Sequence, residues 1–193
     1  MMESPQKISR GILFSIILLA ALLALPACSP ATTQPEVTRP AAGSETQTST
    51  NIKPLIMELC DGQAQAMSHF LNDLIPTVTE EPLSDPATGA SGTGCQATIT
   101  GTGVDFESPS AVVSTLNGML TEQSWAEDPM LQADGPTGTS KGYRKDGQLC
   151  LASAIWLPAA SANCPQDQPI SACQVTPEQQ NYTVTLNCGV ETQ

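Results

Sequence analysis

The amino-acid sequence predicts an α+β domain, with an antiparallel sheet of about four strands and two helices packed on one face. Two stretches place apolar residues at intervals of three and four, as amphipathic helices do. Other stretches alternate apolar and polar residues or are continuously apolar, as strands do. Seven cysteines in 193 residues suggest that disulfides staple these elements together.

The first helix is predicted to begin at Asn51, which suits the N-cap position, and Pro54 is tolerated in the first turn. Its apolar stripe continues to Leu74 and carries Cys60, where a disulfide would fix the helix to the core. Residues 76–94 have no periodicity and are rich in Pro and Gly. They predict a long exposed loop that is either mobile or functional.

A strand and a second helix are predicted next. Residues 95–100 alternate apolar and polar side chains, which is typical of a half-buried strand. Ser108 and Pro109 suit the N-cap and the first position of a helix. The apolar face of this helix consists of Val112, Val113, Leu116, Met119 and Leu120.

The C-terminal part predicts a hairpin and a last strand. Asp146-Gly147 lies between two strand-like runs, and both residues tolerate the positive φ of a tight hairpin turn. The second arm, residues 148–157, is apolar on both faces, which predicts a central strand. Residues 182–188 alternate more regularly, so we expect one buried and one solvated face there.

The N-terminus has the pattern of an export signal. Lys7 and Arg10 precede residues 11–25, an apolar run too short to span a bilayer. The tetrapeptide that follows, Leu25-Pro26-Ala27-Cys28, resembles the lipobox of bacterial lipoproteins, although Pro26 departs from the commonest small residue there. In that family the signal peptide is removed, and the new N-terminal Cys carries a diacylglycerol and usually a further acyl chain, such as palmitate.

The resemblance implies three segments. Residues 1–27 would be a signal peptide that is removed, and Cys28 would be lipidated and anchor the chain to a membrane. Residues 28–50, which are rich in Pro, Thr, Ser, Gln and Glu, would form a disordered tether to a single domain at 51–193. Ser29 stands where the family uses Asp as an inner-membrane retention mark, so the resemblance favours an outer-membrane destination.

Six cysteines remain if Cys28 carries lipid, and an even number in an exported protein predicts three disulfides. Proximity favours Cys164 with Cys173, and the alternative joins Cys150 to Cys164 and Cys173 to Cys188. The sequence cannot choose among the possible connectivities. The six candidates are Cys60, Cys95, Cys150, Cys164, Cys173 and Cys188.

The formal net charge of −12 argues against a nucleic-acid partner, because phosphate binding needs clustered Lys and Arg. The cysteines lack paired zinc-site spacing and the chain has one His, so neither a metal nor another cofactor is predicted. That residue, His69, is expected on the solvated side of the first helix. Trp125 and Trp156 are expected in the core more readily than in a ligand site.

One cluster of side chains is a candidate anion contact. Three of the domain's four cations, Lys141, Arg144 and Lys145, lie within five residues around Tyr143. The alternative is a solvated hairpin arm whose lysines discourage pairing at a sheet edge.

These observations predict an extracytoplasmic binding or structural module of the bacterial cell envelope, anchored through lipid. Its partner would be an envelope protein or a small ligand bound between sheet and loops. No catalytic residues are predicted, because no nucleophile, base or metal constellation is recognisable. The alternatives are a carboxylate-based hydrolase of cell-wall or polysaccharide material and an inhibitor of a basic protein.

Overall fold

The structure, a computed structural model, describes residues 51–165 and 169–192. The signal peptide, the lipidated Cys28 and the tether predicted for residues 1–50 lie outside these described residues. The helices and strands are, in chain order, β1 (Asn51–Pro54), α1 (Met57–Phe70), β2 (Thr77–Ser84), β3 (Ser91–Thr102), α2 (Pro109–Glu122), β4 (Ala126–Gly135), β5 (Gly138–Lys145), β6 (Gln148–Pro158) and β7 (Gln180–Thr192).

The strands form one seven-stranded mixed sheet in the order β2-β3-β1-β7-β6-β5-β4. All neighbouring strands are antiparallel except β1 and β3, which run parallel. β3 pairs directly with β7 along residues 95–102, and β1 enters as a short wedge where these two strands separate. The α+β class is therefore correct, but the prediction of a four-stranded antiparallel sheet is wrong.

β1 replaces the predicted start of the first helix. Lys53 precedes a proline, which disfavours helical backbone at that position, and the chain stays extended through Pro54. The helix begins at Met57 after Ile56, whose φ of −60° and ψ of 147° are extended. Asn51 is therefore a strand residue paired with Thr192 rather than a helix cap.

β2 and β4 are the two edges of the sheet, and each contains a proline. β2 occupies much of the segment 76–94 that was expected to be a loop, and pairs along its whole length with β3. An edge strand tolerates Pro82 because only one of its sides must supply ladder hydrogen bonds. β4 has an irregular register between Asp128 and Gln132, the stretch that contains Pro129. Neither strand has the alternating apolar pattern of a buried strand.

Both helices pack on the same face of the sheet, as predicted, and share one apolar core with it. α1 buries Cys60, Ala64 and Met67, which are spaced by three or four residues. The Ser108 hydroxyl accepts a hydrogen bond from the Ala111 amide at 3.1 Å, which confirms the predicted cap of α2. The predicted apolar face of α2 is fully buried, and each such side chain contributes about 1.5–3 kcal/mol.

The predicted hairpin and central strand are also confirmed. Asp146 and Gly147 have φ of 47° and 74°, as a tight turn between β5 and β6 requires. β6 lies between β5 and β7 and is paired on both sides. Along β7, Tyr182, Val184 and the following inward residues are buried, whereas Thr183 on the opposite face is exposed.

Three disulfides join the six domain cysteines, as predicted. Cys60–Cys95 connects α1 to β3, and Cys150–Cys188 joins directly opposed residues of β6 and β7. Cys164–Cys173 closes a loop in the β6–β7 connection. Proximity therefore identified this last pair correctly, and the alternative of Cys150 with Cys164 and Cys173 with Cys188 is wrong.

The disulfides are compatible with an oxidising, extracytoplasmic location. Among the described residues, no helix is long and apolar enough to cross a bilayer.

Candidate functional site

The residues predicted as an anion contact all lie on β5, but the sheet separates their side chains. Side chains alternate between faces along a strand, so Arg144 projects from the opposite face to Lys141, Tyr143 and Lys145. Tyr143 belongs to the helix-side core and is fully buried. Burial, with a smaller effect from Glu127, raises the pKa of its phenol to about 12. Tyr143 is therefore a core residue and does not reach a surface ligand.

The two lysines are engaged within the chain. Lys141 Nζ lies 2.8 Å from Glu127 Oε1 on β4. Lys145 Nζ donates to the Gln123 carbonyl oxygen at 2.7 Å, at the C-terminal end of α2. A cation is favourable there because the carbonyl end of a helix carries partial negative charge.

Arg144 is held by three carboxylates from distant parts of the chain. Its guanidinium lies 2.6 Å from Asp85 Oδ2, 2.7 Å from Asp128 Oδ2 and 3.1 Å from Glu191 Oε2. The Asp85 side chain is 0% exposed, whereas that of Arg144 is 30% exposed. We call these four residues the Arg144 cluster. It connects the β2–β3 turn with β4, β5 and the end of β7.

Asp85 is ionised because its hydrogen bonds outweigh its burial. Burial raises the pKa of this carboxyl, but hydrogen bonds from the Thr88 hydroxyl, Arg144 and the Ala87 amide lower it to about 2. The pKa of Asp128 is also lowered, first by the hydrogen bond from Arg144 and then by the Met130 amide. Asp85 and Asp128 are therefore held in their ionised form, and Arg144 donates hydrogen bonds to all three carboxylates of the cluster.

These pairings argue against an anion-binding edge, because each cation would have to leave a carboxylate or a carbonyl to contact a ligand. The alternative, a solvated hairpin arm whose lysines discourage pairing at a sheet edge, does not hold either. β5 is not an edge strand, because it lies between β4 and β6. In the structure these cations stabilise the packing of strands and helix.

The remaining candidates are solvated or buried. The His69 side chain is 82% exposed, with Nδ1 4.0 Å from Asp73 Oδ1. Trp125 is buried, and Trp156 is half-buried and packs against the core. Neither tryptophan presents the freely exposed ring that stacking on a sugar would need.

A groove runs along the flank of α1 that faces the edge strand β2. It consists of two cavities of about 350 Å³ and 140 Å³, and both are lined by Val78. The larger is also lined by Asp61, Gln65, Ser68, His69, Asp73 and Ile75. The smaller is also lined by Leu55, Met57, Glu80 and the Cys60–Cys95 disulfide. We call these two cavities together the α1–β2 groove.

The α1–β2 groove combines exposed apolar and acidic side chains. Ile75 is 89% exposed and Met57 is 66% exposed. Of the residues described as lining either cavity, three are carboxylates and none is Lys or Arg. The groove is open beside β2, which pairs with β3 on one side and has no partner strand on the other among the described residues.

Sequence reasoning missed this groove because residues 76–94 were expected to form a loop. The alternation of Thr77, Val78 and Thr79 was a strand signal, but Pro82 and the glycines that follow obscured it. Without a strand at this position, one wall of the groove was absent from the prediction.

The face of the sheet opposite the helices carries a row of hydroxyl groups. The row has one residue on each of five paired strands, in register: Thr77, Thr98, Thr185, Ser153 and Ser140. An open cavity of about 330 Å³ next to this row is lined by residues that include Ser153 and Asp134. The row itself consists of uncharged side chains, and Arg144 with its carboxylates lies on the same face of the sheet.

Comparison of the chain with protein-family models, with curated proteins and with solved structures finds no match.

Proposed function

We propose that this protein is a lipid-anchored binding module of the bacterial envelope, held at the membrane through Cys28. The observation that carries the proposal is the lipobox-like sequence Leu25-Pro26-Ala27-Cys28 after a short apolar run. The cysteine pairing supports it, because the six cysteines of the domain bond to one another and do not need Cys28 as a partner.

The Arg144 cluster does not suit the carboxylate-based hydrolase that is the alternative function. A carboxylate-based hydrolase needs a general acid whose pKa is raised toward neutrality. In the Arg144 cluster the pKa values of Asp85 and Asp128 are shifted the other way. Arg144 also occupies the space between these carboxylates, so a sugar and a water molecule could not enter there. The α1–β2 groove, by contrast, offers apolar and charged contacts suited to a partner.

Replacing Cys28 with Ser is expected to abolish lipidation. A hydroxyl cannot substitute for the thiol that accepts the diacylglycerol, so incorporation of labelled palmitate should fall to background. The precursor should also accumulate with its signal peptide attached. Both effects are measured by expressing the full chain in a bacterium with labelled palmitate, followed by gel mobility and mass spectrometry.

Ser29→Ala is the matched control, because it changes the neighbouring side chain and leaves the thiol in place. It should be labelled and processed like the wild type. Equal labelling of the Cys28→Ser variant, or a wild-type chain without acyl mass, would remove the anchor from the proposal.

A further inference from the structure

We propose that the α1–β2 groove binds an extended segment of a partner protein, in which cationic and apolar side chains alternate, as an added strand beside β2. The inference rests on the proposed function for the setting of that partner, which would be another protein of the envelope. The residues of the groove determine the chemistry of the segment that it would accept.

β2 is an edge strand of the sheet that the structure describes. Among the described residues only one side of β2 is paired, so the alternate backbone groups on its other side, apart from the missing N–H of Pro82, are available to another strand. An extended peptide that pairs with such an edge gains affinity from main-chain hydrogen bonds. Specificity then comes from the pockets that receive its alternate side chains.

Pockets of this kind lie beside the β2 edge. Val78 and Glu80 of β2 point to the helix-covered side, because their partners on β3 are Ala97 and Cys95, which belong to the helix-side core. Alternate side chains of an added strand would therefore also point toward α1. Met57, Asp61 and Gln65 lie one helical turn apart along that flank and line the two cavities.

The two cavities differ in the side chains that line them. The smaller cavity is walled by Leu55, Met57, Val78 and a disulfide, so it suits an apolar side chain. The larger one carries Asp61 and Asp73, so it suits Lys or Arg. Side chains two residues apart on a strand are separated by about 7 Å, so neighbouring inward positions could enter neighbouring cavities.

Charge also selects against a second copy of this chain as the occupant. The chain carries a net charge of −12, and β2 presents Glu80 and Glu81 at its own edge. Two such edges would bring like charges together, which is how natural edge strands avoid pairing with themselves. A cationic strand would instead be attracted to the glutamates at this edge.

The test uses the chain purified as the cell exports it, placed in phosphatidylcholine nanodiscs when it carries lipid. The probe is a labelled peptide of alternating Lys and Val that matches the eight residues of β2. Asp61→Asn with Asp73→Asn is expected to weaken binding about fivefold at low salt, since both side chains are exposed. Fluorescence anisotropy reports the affinity. Hydrogen exchange should show new protection of the amides of β2.

Matched variants keep the same change of charge or polarity away from the groove. Asp134→Asn with Glu122→Gln removes two exposed carboxylates from β4 and α2, and should change the affinity by less than about twofold. Met57→Gln should weaken binding, whereas Met130→Gln on β4, which is 76% exposed, should not. A peptide with the same composition in two blocks, Lys then Val, should bind more weakly than the alternating one.

Several results would overturn the inference. One is that the block peptide and the alternating peptide bind with equal affinity. Another is that the two double variants, Asp61→Asn with Asp73→Asn and Asp134→Asn with Glu122→Gln, weaken binding equally. A third is that hydrogen exchange shows new protection on β4 or on no strand. Self-association of the chain through β2 would overturn it in favour of a homodimer. Peptide binding is measured independently of whether Cys28 carries lipid. Failure of the proposed groove is therefore distinguishable from failure of the proposed lipid anchor.

Discussion

Replacing Arg144 with Met is expected to lower the free energy of unfolding by about 3 kcal/mol at neutral pH. The substitution leaves Asp85, whose side chain is 0% exposed, as a buried charge without its counter-ion. It also leaves Asp128 and Glu191 close to Asp85 with no cation between them. Urea unfolding of the full chain under non-reducing conditions measures the loss.

Two further variants separate this explanation from a general loss of packing. Lys141→Met removes the other ion pair of β5, whose side chains are 29% and 31% exposed, and should cost less than about 1 kcal/mol. Adding Asp85→Asn to the Arg144→Met variant should recover stability, because the buried group is then neutral. A double variant no more stable than the single one would show that the buried charge is not the cause.

Stability should also depend on pH through the Arg144 cluster. The pKa of Asp85 is lowered in the folded state from 3.8 to about 2, so its ionised form favours folding above the unfolded pKa. That contribution, about 2 kcal/mol, is lost as the pH falls from about 4 toward 2. Unfolding curves across this range should show the loss in the wild type and a smaller one in Arg144→Met.

Removing the Cys150–Cys188 disulfide with two alanines should cost about 4 kcal/mol, the second large effect. It joins residues 38 apart in sequence, so its loss frees a long loop in the unfolded chain. Both cysteines are also essentially buried, so smaller side chains leave a void between the central strands. Urea unfolding without reductant measures the change.

The Cys164–Cys173 disulfide is the matched control. It closes a loop of sequence separation 9 in the β6–β7 connection, outside the apolar core. The chain-entropy estimate for its removal is about 2.5 kcal/mol, without an added void. Equal losses for the two pairs would contradict the assignment of the larger effect to the central disulfide.

Elements that bury a regular apolar pattern were predictable. α2 shows this, because Ser108 and Pro109 mark its start and five apolar residues mark its buried face. Asp146-Gly147 and the run at 148–157 likewise carried their own local signals. The local sequence signals of β2 and β4 were weak, because these edge strands form through pairing with a neighbouring strand. Pairing between distant segments is not written in the local sequence.

The same limit applies to the candidate sites. Lys141, Arg144 and Lys145 are adjacent in sequence, which suggested one positive patch. The strand period of two divides them between faces, and the carboxylate that Arg144 buries comes from 59 residues away. The cysteines follow this rule too. The pair closest in sequence was predictable, whereas Cys60–Cys95 and Cys150–Cys188 depend on how the strands are ordered.

The wedge strand β1 determines how the domain would bear mechanical load. A pull on the chain before Asn51 would act first on the hydrogen bonds of β1 with β3 and β7, and would draw out only four residues if they broke. Unravelling would next enter α1 and stop at Cys60, which is bonded to Cys95 in β3. Force would then pass covalently into the centre of the sheet. The first ten residues of the domain can thus lengthen under tension while its core stays folded.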